Sequence, residues 1–232
     1  MLGDPDGDVD VAVVGDSKTR QWAPALDIAA KELGWRLVVS TKSTCAFTTA
    51  EVAHGGAYKS YPSCDQWNAD LIAKLERDKP DIVINALYKM KARNIGTGVE
   101  PRDLMIDGVR DALGRVAAHG AQVIVFDSTP MNGMDIPQCV MKHASKLTEC
   151  STPREKAYGS DVTWDDASIE RALSEVQDAH RINVNDYICP GSACAPVIGN
   201  ILVFRDRHHV TVPYMKTLAP MVLAQLKALD LN

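Results

Sequence analysis

Apolar residues along this chain follow two alternating rhythms. Val9–Val14 (VDVAVV) is a short β-branched run that stops at Gly15-Asp16-Ser17, and helical spacing follows from about Gln21 to Leu33. Trp35–Ser40 (WRLVVS) is a second run, after which Asp65–Lys79 sets Trp67, Leu71, Ile72 and Leu75 at helical intervals up to Pro80. Short apolar runs bounded by turn residues read as buried strands, and i, i+3, i+4 spacing reads as an amphipathic helix. The alternation continues with a strand at Asp81–Ala86 (DIVINA), a helix at Arg102–His119 and a strand at Gln122–Phe126 (QVIVF). From Asp127 to about Gly159 the pattern is irregular, interrupted by Pro130, Pro137 and Pro153. Trp164–His180 is then predicted helical, with Thr163 and Asp166 spaced as a capping box. Arg181–Val184 is a fifth short strand, Ile198–Phe204 an additional strand turning at Gly199-Asn200, and Thr211–Leu229 the closing helix.

Near-continuous Val/Ile strands separated by amphipathic helices predict an α/β fold, with a parallel sheet covered on both faces. No linker or repeat divides the chain, so residues 9–232 are expected to form one domain, preceded by a linker or disordered segment at 1–8. Active sites in such sheets lie beyond the carboxyl ends of the strands. That rule brings Gly15–Ser17, Ala86–Tyr88 and Asp127–Thr129 to one rim.

Composition narrows the function classes. Of 232 residues 46% are hydrophobic and 24% charged, which suits a packed core and excludes wholesale disorder. The net charge of −5, without Lys/Arg clusters, lacks the footprint of a nucleic-acid binder. No apolar run is long enough to span a bilayer, and the acidic start MLGDPDGDVD is no signal peptide.

Six cysteines form three sequence-local couples, Cys45/Cys64, Cys139/Cys150 and Cys189/Cys194, separated by 19, 11 and 5 positions. Pairing neighbours is the simplest of the fifteen connectivities; free thiols and zinc are the alternatives, and no C-x-x-C or H-x-x-x-H pair supports zinc. Disulfides imply an oxidising compartment. With no export signal in view, the chain is expected to be either a processed product or, preferably, the soluble part of a larger membrane-anchored protein.

Two stretches could carry chemistry. Gly15-Asp16-Ser17-Lys18 lacks the glycines of a dinucleotide loop and the second glycine of the G-x-S-x-G elbow. It leaves a serine at a strand-to-helix junction, where backbone N–H groups can stabilise an oxyanion; an ordinary helix cap is the plainer reading. Near the other end, Asp206 and His209 are three residues apart before a helix. That spacing lets the carboxylate fix the imidazole tautomer and free the second ring nitrogen as a base. A polar loop capped by Asp206 or Thr211 is the alternative.

Together these stretches resemble the SGNH (GDSL-like) hydrolase family. More closely, the chain resembles the SGNH domains of bacterial acyltransferase-3 membrane proteins, which O-acylate cell-surface glycans. The resemblance rests on V-V-G-D-S-K-T-R-Q-W-A-P-A-L (13–26), D-I-P-Q-C (135–139), C-S-T-P-R-E (150–155) and F-R-D-R-H-H-V-T (204–211). It implies a three-layer α/β/α sandwich with a flavodoxin-like parallel sheet, and no cofactor or metal. The implied roles are Ser17 as nucleophile, His209 as base and Asp206 as orienter. Family members often have His where this chain has Lys18, and the Gly and Asn blocks that complete the oxyanion hole have no clear match. Ser17 N–H is the first candidate donor, with Asn85 and Gly55 as further ones. Asp16 and Lys18 beside the serine, and Tyr88, Lys89, Lys91 and Arg93 after the third strand, are candidates to touch substrate. His208 is expected to face away from the site, and Trp22 and Trp67 to lie in the core.

The expected activity is transfer of an acyl group, acetyl foremost, through Ser17 to a hydroxyl of a cell-surface carbohydrate or glycolipid. The partner implied is an N-terminal acyltransferase-3 transmembrane domain, on the periplasmic or outer face of a membrane. Two alternatives stay open: a secreted carbohydrate O-acetylesterase, and a glycan-binding domain that has lost activity.

Overall fold

The computed structural model describes residues 1–54, 59–86, 91–93, 98–159, 164–229 and 231. Its main elements in chain order are β1 (Leu2–Gly3), β2 (Val9–Gly15), α1 (Ser17–Arg20), α2 (Ala23–Leu33), β3 (Trp35–Thr41), α3 (Pro62–Asp78), β4 (Ile82–Ala86), α4 (Pro101–Ala117) and β5 (Gln122–Phe126). They continue with α5 (Ile136–Lys142), α6 (Asp166–Leu173), β6 (Ala179–Ile182), a hairpin of β7 (Val197–Ile198) and β8 (Ile201–Leu202), α7 (Val212–Thr217) and α8 (Ala219–Ala228).

Six strands form one sheet in the order β1-β3-β2-β4-β5-β6. All neighbours are parallel except β1, which runs antiparallel to β3. Alternation along β2 divides the core. Val11 and Val13 join Trp22, Leu26, Phe126, Val222 and Leu226 on one face, and Ala12 and Val14 join Ile72, Leu75, Val109 and Leu113 on the other. Helices therefore cover both faces, giving the three-layer α/β/α fold. Each fully buried Val, Leu or Ile here contributes on the order of 1.5–3 kcal/mol over its exposed state. Because β2, β4, β5 and β6 are parallel, their carboxyl ends open on one rim.

Cys45–Cys64, Cys139–Cys150 and Cys189–Cys194 are disulfides, and no cysteine is free. They tie down the irregular connections, and in the chain-entropy view each closed loop contributes roughly 2–3 kcal/mol. Among the described residues no helix is long and apolar enough to cross a membrane.

The structure departs from the sequence pattern at several places, among them the fifth strand, which runs Ala179–Ile182 rather than Arg181–Val184. Residues 1–8, expected as a linker, include the edge strand β1, which pairs Leu2 with Leu37; Gly3 N–H donates to Asp27 Oδ1 at 2.8 Å. The helix expected from Gln21 starts at Ser17 and restarts at Ala23, with Pro24 in the new first turn. The helix expected from Asp65 begins earlier, at Pro62. The predicted helix at 164–180 is confined to Asp166–Leu173, because Glu175 and Asp178 adopt left-handed φ (67° and 49°) and lead into β6. Its cap is Asp165, which accepts from Ser168 N–H at 2.9 Å; the expected partner Thr163 lies outside the described residues. The closing helix is split at Leu218, just before Pro220, whose missing N–H cannot continue the ladder. The Gly199-Asn200 turn of the β7–β8 hairpin has φ of 57° and 62°, as a two-residue hairpin turn requires.

Candidate active site

Ser17 is the first residue of α1, at the carboxyl end of the central strand β2. The turn before it accepts only glycine: Gly15 has φ +142°, and a Cβ there would lie 2.3 Å from Thr19 Oγ1 and 2.8 Å from Asn85 Nδ2. Asp16 caps the short helix, Oδ1 accepting from Lys18 N–H at 2.7 Å. Thr19 fixes it to the neighbouring strand, its Oγ1 accepting from Ala86 N–H at 3.1 Å. Ser17 is left partly exposed while its neighbours are buried.

The second half of the site is the loop between Phe204 and Val210, which bridge each other as the chain turns into α7. Arg205 N–H donates to His209 O at 2.9 Å and closes the loop. Inside it, Asp206 Oδ1 accepts from the His208 and His209 N–H groups, both at 2.8 Å, an aspartate turn that fixes the carboxylate against its own backbone. Asp206 Oδ2 lies 2.8 Å from His209 Nδ1, and His209 Nε2 lies 2.8 Å from Ser17 Oγ. A carboxylate can only accept, so the ring proton sits on Nδ1 and Nε2 accepts from the serine hydroxyl. Residues 192 positions apart thus form one hydrogen-bonded chain.

Electrostatics match this geometry. Burial raises the Asp206 carboxyl, but hydrogen bonds from the His208 and His209 N–H groups and the His209 ring outweigh it, holding Asp206 at about 2. Burial lowers the His209 imidazole, opposed by Asp206 and aided by the positive charges of Lys18 and Arg205. The imidazole is therefore neutral at neutral pH and available as a base.

Two residues, Gln21 and Lys18, join the two halves, and a third, Asn132, braces the second half from the loop after β5. Gln21 Oε1 accepts from Val210 N–H at 2.9 Å, and its Nε2 donates to Thr129 Oγ1 at 3.0 Å. Lys18 Nζ donates to the same Thr129 Oγ1 at 2.9 Å and to His208 O. Asn132 N–H, in the loop after β5, donates to Arg207 O at 2.6 Å. The sequence reading missed Gln21 and Thr129. Thr129 sits in the D-S-T-P stretch on the predicted rim, a usable signal, whereas Gln21, expected at the start of a helix and found in the turn between α1 and α2, gave none.

The remaining candidates fall in different places. Asp16 and Lys18, expected to touch substrate, are only 2% and 1% exposed, because their side chains turn into the core side of the junction. Asn85 Nδ2 donates to Val14 O at 2.8 Å, committing part of the amide to β2 rather than to the rim. Arg93 pairs with Glu51 through its backbone and an ion pair at 3.4 Å. Gly55, Tyr88 and Lys89 lie outside the described residues. His208 is not turned away as expected: its ring centroid is 4.2 Å from that of His209 and its Nδ1 3.9 Å from Asp206 Oδ1. Asp206, His208 and His209 have possible ligand atoms within 4.8 Å of one another, but both His209 nitrogens are already engaged with Asp206 and Ser17. Trp22 is buried and stacks on Phe126 at 4.6 Å between centroids, whereas Trp67 is partly buried against the opposite core.

Comparison with known proteins gives a consistent picture. A family model described as "SGNH domain (fused to AT3 domains)" matches residues 1–224. No curated protein matches the chain. Among solved structures, the periplasmic domain of a lipopolysaccharide acetyltransferase from Salmonella ser. Paratyphi A is similar over 96% of this chain and 85% of its own, with a TM-score of 0.66 and 16% identity. TesA (TM-score 0.47, 18% identity, 95% and 99% covered) and a GDSL-like lipase from Bacteroides thetaiotaomicron (0.46, 13%, 94% and 88%) are more distant.

Proposed function

We propose, from the premise that this chain belongs to the family of SGNH domains fused to AT3 domains, that it is a serine O-acyltransferase acting by double displacement. The observation that carries this reading is the Ser17–His209–Asp206 chain of 2.8 Å hydrogen bonds at the open rim of the sheet.

In the first step His209 Nε2 takes the Ser17 proton as Oγ attacks the carbonyl carbon of an acyl donor. Asp206 stabilises the imidazolium that forms and keeps its Nδ1 proton in place. The tetrahedral intermediate collapses, His209 returns the proton to the leaving group, and the acyl group stays on Ser17 as an ester. In the second step His209 Nε2 removes the proton of a carbohydrate hydroxyl as its oxygen attacks the acyl carbon. The tetrahedral intermediate collapses with breakage of the bond to Ser17 Oγ, and His209 returns the proton to Oγ, restoring the free serine. The backbone N–H of Ser17, at the start of α1, is the donor proposed for the developing oxyanion.

Acetyl is the acyl group favoured by the lipopolysaccharide acetyltransferase whose periplasmic domain shares this fold. By family membership, the domain is proposed to work beside an acyltransferase-3 membrane domain of the same protein, on the extracytoplasmic side. Three disulfides fit that compartment.

The test is a competition between acceptors. Acetyl-loaded protein is mixed with a surface glycan in water, and glycan ester and free acetate are quantified. Ester formed in excess of hydrolysis supports the transferase reading. Acetate alone, with glycan at saturating concentration, would make the protein an esterase; neither product, with an intact fold, would make it a binding domain.

A further inference from the structure

Lys18 is the most deeply buried charged side chain among the described residues, 1% exposed, and it stands one position after the proposed nucleophile. Adjacent helix positions diverge by about 100°, so Ser17 can face the rim while Lys18 faces inward. A solvent-facing loop residue would need no such burial, and an isolated buried ammonium is costly unless it is bonded and compensated. Here both conditions hold. Nζ donates to Thr129 Oγ1 at 2.9 Å and to His208 O. The carboxylates of Asp16, before the helix, and of Asp206, on the loop, act on it electrostatically.

We propose that Lys18 is a positioning residue whose buried ammonium fastens the Asp206–His209 loop to the helix that begins at Ser17. The inference rests on the serine mechanism above and assigns Lys18 no contact with substrate. His208 O lies between Asp206 and His209 in the chain, so a bond to that carbonyl fixes the backbone from which both side chains project. Thr129 anchors the same ammonium to the end of β5, and Gln21 repeats the arrangement one turn on by holding Val210 N–H and Thr129 together.

The charge has a second consequence. The charged and titratable described groups around His209 are Arg205, Asp206, Arg207 and His208 on its own loop, and Lys18 with its neighbour Asp16 on the facing turn. Among the positive ones only Lys18 is buried. Its ammonium favours the neutral imidazole, opposing Asp206. Burial brings Lys18 itself down to about 7, and Asp16, with Oδ2 buried and unbonded, is raised by burial to about 6. Lys18 is accordingly protonated in the acid range where His209 titrates. Removing the charge therefore raises the His209 pKa and moves the rising limb of the activity profile to higher pH. A residue that only packs would leave that limb in place.

The experiment uses p-nitrophenyl acetate with wild type, Lys18→Met and Lys18→Arg, reading kcat/KM against pH and the acyl adduct on Ser17. Lys18→Met is expected to lose about tenfold or more in kcat/KM and to shift the rising limb upward by about half a pH unit or more. Lys18→Arg keeps the charge and is expected to return the limb towards its wild-type position. Lys18→Met kinetics within about twofold of wild type, or a lost rate with an unmoved limb, overturn the proposal. Should Lys18→Met not fold, Thr129→Val and Thr129→Ser decide it. Val removes the anchor and is expected to lose several-fold in rate, Ser keeps it, and equal kinetics for both overturn the proposal. Absence of any adduct on wild-type Ser17 removes the mechanism and this inference together, whereas a wild-type adduct with unaffected Lys18 and Thr129 variants removes this inference alone.

Discussion

Two aspartates lie towards the rim of this sheet, and they differ in what holds them. Asp127, just past β5, is 7% exposed in its side chain and receives two hydrogen bonds of 2.6 Å from Arg181 Nε and Nη2, and one of 2.6 Å from Asn183. Arg181 also reaches Asp166 at 2.6 Å, so the cluster ties β5 and β6 to the start of α6. Asp206 is 37% exposed and is held by two backbone N–H groups and an imidazole. A guanidinium stays protonated under all ordinary conditions, whereas an imidazole exchanges its proton near neutrality. The first carboxylate is committed to holding elements together; the second faces a group that can pass a proton to Ser17. The identity of the partner, more than the position of the carboxylate, separates structure from chemistry at this rim.

The comparison breaks most sharply at the proposed catalytic chain. Ser17→Ala and His209→Ala are each expected to reduce esterase turnover by roughly 10⁴-fold or more, and the double variant by little beyond that, because such residues act as a unit. Asp206→Asn should lose somewhat less than either, since the base survives with a poorer tautomer. Steady-state rates on p-nitrophenyl acetate check the order. Additive losses, or an Asp206→Asn variant near wild type, would place Asp206 with Asp127 as a structural carboxylate.

Arg181→Met tests the other side. It leaves Asp127 buried with Asn183 as its remaining bonded partner, and should cost about 3 kcal/mol of stability, because removing one partner of a buried pair strands the other. Turnover per folded molecule should stay within about threefold of wild type. Denaturant unfolding with rates on the folded fraction measures both; a large loss of rate without loss of stability would put the Asp127 cluster into the chemistry.

What the sequence made legible follows from these same forces. Strands β2, β4 and β5 were readable because both faces are buried along most of their length, which forces unbroken Val/Ile runs such as VAVV and VIVF. Ser17, Asp206 and His209 were readable because a short-range D-x-x-H and a serine at a strand end each have a local reason to exist. The edge strand Leu2–Gly3 was too short to show a period, and Glu175 and Asp178 turn left-handed without the glycine that usually signals it. The role of Lys18 was hidden most deeply. The lysine beside the serine reads as a candidate to touch substrate, and only the tertiary fold brings Thr129 and His208 O to bury it.

The smallest effect distinguishes the two histidines. His208 does not bond Ser17, and burial followed by the charge of Lys18 holds it down to about 4. His208→Ala should change kcat/KM by less than about threefold, since the carbonyl that receives Lys18 is backbone. The wild-type rising limb should report His209, with an apparent pKa below the ordinary 6.5, because burial lowers the imidazole more than Asp206 raises it. A limb above neutrality, or one that vanishes in His208→Ala, would reassign the base.

The most direct test of the account is the intact mass of the protein after brief exposure to p-nitrophenyl acetate, followed by peptide mapping. A single acetyl adduct on Ser17, absent from Ser17→Ala and slow to form in His209→Ala, is the predicted result. Sustained turnover by Ser17→Ala, or an adduct located on another residue, would contradict the serine mechanism outright.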